Sequence, residues 1–148
     1  MGKKKKGVTT VPMNLESVFL KFSAFLTGFS ELELQGTGLL NKYFLLVKKE
    51  VGVREMKKLL RRFEATSEPA PDQSERLLSI WWVRSIVKMW YLGSWYPNPE
   101  ESPYGSVIGP VAYQEGLVWK TIEAHPPAAK QPGYGTWSMP PLNPTSNQ

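Results

Sequence analysis

The segment SERLLSIWWVRSIVKMWYLGSW, residues 74–95, predicts the centre of the fold. Its apolar side chains point in nearly every direction around a helix, and only Arg84 and Lys88 interrupt its second half. A helix that is apolar on all sides is expected to be buried on all sides. Because Gly93 is a typical C-terminal cap, we expect one buried helix that ends there. Arg84 and Lys88 lie four residues apart, so we expect them to form one strip that faces solvent or a partner.

Three further helices are predicted before this segment from the helical spacing of apolar residues. They cover about 15–27, 37–50 and 53–64. The first has a stripe of phenylalanines, with Asn14 as a natural N-cap and Gly28 as a natural stop. Each of these helices has one apolar face, so together with residues 74–95 they predict a small helical bundle.

The chain becomes rich in proline around the central segment. Pro69 and Pro71 predict a break, after which Asp72 and Glu75, three residues apart, resemble a capping box. Ten of the thirteen prolines lie from Pro97 onward, which favours turns and extended chain.

One short helix is still expected within this proline-rich part. Pro110 suits its first position, and it would run through Tyr113, Glu115 and Leu117. After His125 we expect extended, irregular chain.

The fold predicted from these patterns is all-α. It is a small bundle of four to five helices with a long, irregular C-terminal arm rich in proline, glycine and aromatic residues. We expect residues 1–12 to be a disordered basic leader, 13–120 a helical domain, and 121–148 an extended arm that docks on a partner.

The net charge of +5 is concentrated near the start of the chain, where Lys3–Lys6 supply four charges. Such a run is typical of a solvated leader, and nucleic-acid arms and membrane-surface anchors share it. The predicted helix at 53–64 also has a basic face: Arg54, Lys57, Lys58, Arg61 and Arg62. One interpretation is therefore a stand-alone helical module that binds protein or nucleic acid through the leader and this face.

The stock of catalytic and metal-ligating groups is poor. There is no cysteine, which excludes disulfides, thiolate zinc sites and cysteine-bound iron–sulfur clusters. The single histidine, His125, precedes two prolines, and no serine nucleophile is marked. We therefore expect no catalytic residue, cofactor or metal in this chain, although a stand-alone enzyme remains an alternative.

Aromatic residues predict a binding role instead, since eleven of eighteen lie after position 80. Tryptophan and tyrosine are enriched where proteins bury one another, and extended chain must lie along some surface. We expect the arm at 124–142 to dock on a partner. The candidate partner-binding residues are Trp90, Tyr91, Trp95, Tyr96, Tyr113, His125, Lys130, Pro132, Tyr134 and Trp137.

Three stretches, FLKFSAFLTG (19–28), KMWYLGSW (88–95) and KQPGYGTWSMP (130–140), occur in this order. They resemble landmarks of the small, or gamma, subunit of membrane-bound FAD-dependent sugar dehydrogenases, the family of sorbitol, fructose and glucose dehydrogenase small subunits. The matching residues are Phe19, Ser23, Leu26, Thr27, Gly28, Trp90, Tyr91, Gly93, Tyr113, Glu115, Leu117, Pro132, Gly133 and Trp137. The resemblance runs from about residue 14 to 141.

This resemblance implies a non-catalytic subunit that acts as a chaperone for a large catalytic subunit. That partner would carry FAD in a fold of the glucose–methanol–choline type, and often an iron–sulfur cluster. A multihaem cytochrome subunit would accept the electrons. The resemblance implies the periplasm, whereas the first residues show neither a twin-arginine motif nor an apolar signal core, which leaves the cytoplasm open.

Overall fold

The computed structural model describes residues 13–66 and 71–126, and most of these residues are helical. The elements in chain order are α1 (Leu15–Thr27), α2 (Glu31–Gly36), α3 (Leu40–Val51), α4 (Val53–Ala65), α5 (Pro71–Ser79), α6 (Trp81–Leu92), β1 (Ser94–Trp95), β2 (Ser106–Val107), α7 (Pro110–Gln114) and α8 (Leu117–Thr121). The prediction of a mainly helical chain is confirmed. The described part has more and shorter helices than the four or five expected, and it contains a two-stranded ribbon.

Helix α1 has the predicted bounds because both of its ends are encoded locally. The Asn14 side-chain oxygen accepts hydrogen bonds from the backbone N–H groups of Glu16 and Ser17, at 3.1 and 3.4 Å. Gly28 ends the helix in the left-handed conformation, with φ 77°. The phenylalanine stripe faces inward as expected, and Phe19 and Phe22 are fully buried.

The helix predicted at 37–50 begins later than expected, and a short helix before it was missed. Ser30 forms a reciprocal capping box with Glu33, which starts α2. Helix α2 ends at Gly36, and Gly38, with φ 70°, lies in the connection to α3. The capping box starts a helix before the glycines, so residues 37–39 form the connection and α3 begins at Leu40.

Gly52 is the single residue between α3 and α4. Its φ of 91° lies in the region that favours glycine, so the chain can turn sharply between two helices. The start of α4 at Val53 confirms the predicted helix at 53–64, which extends one residue further. Met56 and Leu60 bury its apolar face.

The single helix predicted for the central segment is wrong, because the chain breaks at Ile80. Ile80 has extended backbone angles, φ −78° and ψ 120°, and its carbonyl accepts hydrogen bonds from the N–H groups of Val83 and Arg84. The predicted capping box at Asp72 is also wrong. Asp72 lies inside α5 and forms an ion pair with Arg76 at 2.9 Å.

Helix α6 is the centre of the bundle, as the sequence predicts. It contacts α1, α3, α5, α7, α8 and β1. The Trp90 ring packs edge-on against Tyr43 of α3, with centroids 4.7 Å apart. Arg84 and Lys88 are exposed, as predicted for this strip, and Leu92 at the end of the helix is also 41% exposed. The predicted burial is therefore confirmed for the sides of α6 that pack against other elements, and the remaining side is exposed.

The short helix predicted from Pro110 is present, but it is interrupted. Pro110 occupies the start of α7, and the segment turns at Glu115 and Gly116 before α8 begins. Gly116 lies against the Tyr91 carbonyl oxygen, where an added Cβ would come within 2.7 Å. That close approach lets α8 pack against α6.

The described helices are all short. Within residues 13–66 and 71–126, no helix has the length and hydropathy that crossing a bilayer requires.

Candidate partner-binding surface

A small antiparallel ribbon follows α6 and projects a ten-residue loop, residues 96–105. In β1 and β2, Ser94 pairs with Val107 and Trp95 pairs with Ser106. A further hydrogen bond of 3.0 Å from the N–H of Ile108 to the Gly93 carbonyl closes the base. The ribbon therefore fixes both ends of the loop.

The loop is also held internally by hydrogen bonds. The Asn98 carbonyl accepts from the N–H groups of Glu101 and Ser102, at 2.8 and 3.0 Å. The Ser102 hydroxyl accepts from the Tyr104 N–H at 3.2 Å. At the start of the loop, the Ser85 hydroxyl of α6 donates to the Tyr96 carbonyl. These contacts restrict the backbone on both sides of Tyr104.

Tyr96 is packed from two directions and fixes the loop to α6. The Lys88 ammonium lies 4.3 Å from the centroid of its ring. Gly105 lies against the other part of the same ring, where an added Cβ would come within 2.7 Å. A side chain at 105 would therefore require the Tyr96 ring to shift.

A groove runs between α3 and the ribbon, and we call it the α3–ribbon groove. Its volume is about 730 Å³. Three of its lining residues are large apolar side chains left in solvent: Tyr104 is 80% exposed, Val107 70% and Leu45 50%. Buried Trp95 also lines it. Exposed apolar patches of this kind mark interaction sites when they are contiguous.

Charged and polar groups accompany the apolar lining of the α3–ribbon groove. Lys42, Lys49 and Glu50 line it from α3. Lys49 and Glu50 form an ion pair at 3.8 Å, whereas Lys42 has no ion pair among the described residues. The Trp95 indole N–H is buried and has no hydrogen-bond acceptor within the described part of the chain. The groove thus combines apolar area with positive charge.

A smaller cavity of about 340 Å³ lies on another side of the same loop. Its lining includes Trp81, Arg84, Lys88, Tyr96 and Pro99. Pro97 and Ser102 line both cavities, so the loop separates them. The loop therefore offers two adjacent concave surfaces.

Nothing in the described part gathers ligands as a metal centre would: no three or more His, Cys, Asp or Glu side chains come together there. No protein-family model, curated protein or solved structure matches this chain. The α3–ribbon groove supplies apolar contact area and charge, which are features of a binding surface.

Two of the predicted partner-binding residues lie in the core. Trp90 is 1% exposed and packs on Tyr43, and Trp95 is 4% exposed with its ring 6.3 Å from that of Trp81. Direct contact of Trp90 with a partner does not fit this position. The Trp90 ring instead fills the space between α6 and α3, where it packs on Tyr43.

Other predicted residues lie nearer the surface. Tyr91 and Tyr96 are half-buried, and Tyr113 is exposed beside Trp119, whose indole N–H donates to the Tyr113 carbonyl at 2.8 Å. His125 is half-buried, and its Nε2 has no hydrogen-bond partner among the described residues. The remaining predictions lie outside the described residues: Lys130, Pro132, Tyr134 and Trp137.

Residues that carry the family resemblance meet at one junction of the described fold. Thr27 and Tyr91 are joined by a hydrogen bond. Gly93 faces the backbone of Ala112, the residue before Tyr113. Leu117 is 1% exposed. These landmarks therefore lie at the contacts of α6 with α1, α7 and α8, and one of them, Tyr113, is also an exposed apolar side chain at 37%.

The sequence reasoning did not identify Leu45, Val107 and Tyr104 as site residues. The exposure of Leu45 could have been predicted from the sequence. It lies two positions from both Tyr43 and Val47, and hence on the opposite side of α3 from these two apolar residues. An apolar residue on the polar side of a helix is a candidate contact. Val107 had no comparable signal, because its exposure depends on the ribbon.

Proposed function

We propose that this chain is a non-catalytic accessory subunit that binds and stabilises the large FAD-containing catalytic subunit of a sugar or alcohol dehydrogenase complex. The observation that carries the proposal is the exposed apolar surface of Leu45 on α3, Tyr104 on the loop and Val107 on β2. The resemblance of the sequence to small subunits of such complexes supplies the identity of the partner.

Rigidity of the loop is the first physical support. Binding costs free energy when loops and side chains become ordered, and a surface that is already ordered avoids much of that cost. Tyr104 is presented by a loop whose two ends are fixed by the β1–β2 pairing and by the Ser85–Tyr96 hydrogen bond. An exposed aromatic in this setting has the properties of an interface hot spot.

The separate core is the second support. Among the described residues, eighteen apolar side chains form the buried cluster, and Leu45, Tyr104 and Val107 do not belong to it. The helical unit thus has a core without these three residues. Apolar residues that the core does not need are available for contact with another protein.

The partner would contribute the chemistry in this proposal. FAD, and an iron–sulfur cluster where one is present, belong to the large subunit of the glucose–methanol–choline type, and a multihaem cytochrome would accept electrons. The role of this chain is to cover part of the large subunit and to assist its maturation. The predicted arm contacts of Tyr134 and Trp137 belong to the same proposal.

Affinity purification of the full chain from its native host tests the proposal. We expect a large protein with flavin absorbance to co-purify. The double variant Leu45→Asp with Val107→Asp should lose it, because buried carboxylates would oppose docking. Leu32→Asp is the matched control, since Leu32 is 78% exposed on α2 and does not line the groove.

Two results would contradict the proposal: a wild-type chain that brings down no flavoprotein, and one that turns over a substrate alone. A flavoprotein retained by the double variant at the wild-type level would contradict the placement of the interface at the α3–ribbon groove.

A further inference from the structure

Helix α4 carries an uninterrupted positive surface that the proposed interface does not use. We define the α4 basic face as Arg54, Lys57, Lys58, Arg61 and Arg62. Four of these side chains are exposed and Lys57 is half-buried. None of them forms an ion pair with another described residue. None of them lines either cavity beside the loop.

Helix geometry places the five cations on one side. At about 100° per residue they fall within an arc of roughly 140°. The two acidic residues of the helix, Glu55 and Glu64, fall at the borders of this arc. Positive charge inside the arc is therefore undiluted by a carboxylate of α4.

The opposite side of α4 fixes the direction of the basic face. Met56 and Leu60 are fully buried, and the Phe63 ring packs on Phe22 of α1 with centroids 5.1 Å apart. The helix cannot roll without exposing this apolar contact. The five cations are thus held outward by the core.

The chemistry of this face favours one kind of anionic partner. The arginines and lysines of α4 can contact phosphates and guanine edges, but α4 has no amide side chain to pair with adenine, and its one aromatic ring, Phe63, packs on α1 and is not available to stack on a base. A protein partner would need acidic residues fixed in a matching pattern. Lipids in a fluid leaflet diffuse laterally, so anionic headgroups can gather under any arrangement of cations.

We propose that the α4 basic face binds the surface of an anionic phospholipid membrane, peripherally and without insertion. The α3–ribbon groove lies on other elements and stays free for its own partner. This proposal does not depend on the identity of that partner. Each lysine or arginine near an anionic leaflet strengthens association about fivefold at low salt.

Vesicle sedimentation of the purified full chain tests this binding. The vesicles contain phosphatidylcholine alone or phosphatidylcholine with phosphatidylserine, and each is measured at low and at physiological salt. In every protein sample Lys3–Lys6 are replaced by glutamine, so that the leader does not contribute. The test variant is Arg54→Gln with Lys58→Gln and Arg61→Gln. Circular dichroism checks that it folds.

The matched control removes three cations elsewhere, by Lys21→Gln, Lys42→Gln and Arg84→Gln. These side chains are exposed on α1, α3 and α6. We expect the α4 variant to lose on the order of 100-fold in binding to anionic vesicles at low salt, and the control to lose far less. If the triple variant unfolds, Lys57→Gln with Arg62→Gln replaces it, with a loss of about 25-fold expected.

Three outcomes would overturn the inference. Binding without preference for anionic over neutral vesicles excludes an electrostatic lipid surface. Equal losses in the α4 variant and the control assign the effect to net charge. Random duplex DNA bound more tightly than vesicles, and weakened by the α4 substitutions, assigns the face to nucleic acid, whose binding falls steeply with salt.

Discussion

The Tyr91 hydroxyl donates a hydrogen bond of 2.9 Å to the Thr27 carbonyl oxygen, which joins the C-terminal turn of α6 to that of α1. The Phe29 ring packs edge-on against the Tyr91 ring, with centroids 6.1 Å apart. The Thr27 side chain is held in turn, because its hydroxyl donates to the Ser23 carbonyl at 2.8 Å. This contact links two helix ends that lie 64 residues apart in sequence.

Replacing Tyr91 by phenylalanine should lower the free energy of unfolding by about 1 kcal/mol, because one part-buried hydrogen bond is lost while the ring contact stays. Urea denaturation measures the change. Tyr104→Phe is the control, since that tyrosine is 80% exposed and should leave stability unchanged. Equal stabilities of Tyr91→Phe and the wild type would show that the hydrogen bond contributes nothing.

Gly93→Ala should be clearly more destabilising than Gly38→Ala. Both glycines have left-handed backbone angles, φ 67° and 70°, so both substitutions incur about 1–2 kcal/mol of backbone strain. An added Cβ at Gly93 would also come within 2.5 Å of the Ala112 backbone, whereas Gly38 has open space. The additional overpacking should cost about 1–3 kcal/mol. Thermal unfolding of both variants tests this difference, and equal unfolding temperatures would contradict the close contact of Gly93 with the Ala112 backbone.

Tyr43→Phe should leave stability at neutral pH unchanged or slightly higher. The Tyr43 hydroxyl is buried and has no hydrogen-bond partner among the described residues, so its removal relieves an unsatisfied polar group. Burial, with a smaller contribution from Glu115, raises the pKa of Tyr43 above its usual value. A loss of more than about 1 kcal/mol at neutral pH would mean that the hydroxyl has a partner.

The raised pKa of Tyr43 also predicts the direction in which folding stability changes at alkaline pH. Above about pH 10 the tyrosine of the unfolded chain loses its proton while the folded chain retains it. Wild-type stability should therefore fall as pH rises, by up to about 1.4 kcal/mol per pH unit from this group. Denaturant unfolding at neutral and alkaline pH should show a shallower fall for Tyr43→Phe. Identical slopes would argue against the raised pKa.

Tyr104→Ala should weaken binding of the large subunit by about 2 kcal/mol or more, with no change in folding stability. Leu32→Ala removes an equally exposed apolar side chain away from the α3–ribbon groove and should leave affinity unchanged. Titration calorimetry with the isolated large subunit compares the two. Equal effects of the two substitutions would show that exposure alone, without position, accounts for the loss.

Local signals explain how much of the fold was predictable. α1 and α4 have the expected starts because Asn14 and Gly52 act on their immediate neighbours. The break at Ile80 has no such signal, since neither glycine nor proline stands near it and an apolar run continues through it. Only packing of α5 and α6 against different surroundings distinguishes two helices from one.

The site was less predictable than the core. Trp90 and Trp95 were predicted to bind a partner, yet both are buried because large rings fill the space around α6. Exposure of Val107 follows from its place in a two-residue strand paired with Ser94, a tertiary feature without a periodic pattern. Residue type alone therefore cannot separate rings that build the core from side chains that remain at the surface.

The contacts of α1 have a consequence for the order in which a nascent chain can fold. Phe22 of α1 packs on Phe63 of α4, and this contact can form once about the first half of the chain has left the ribosome. The hydrogen bond to the Thr27 carbonyl cannot form until Tyr91 of α6 has been synthesised. At typical synthesis rates that interval is on the order of seconds, during which the end of α1 lacks its final cover. A newly made chain therefore passes through a stage in which it is open to chaperones and to aggregation.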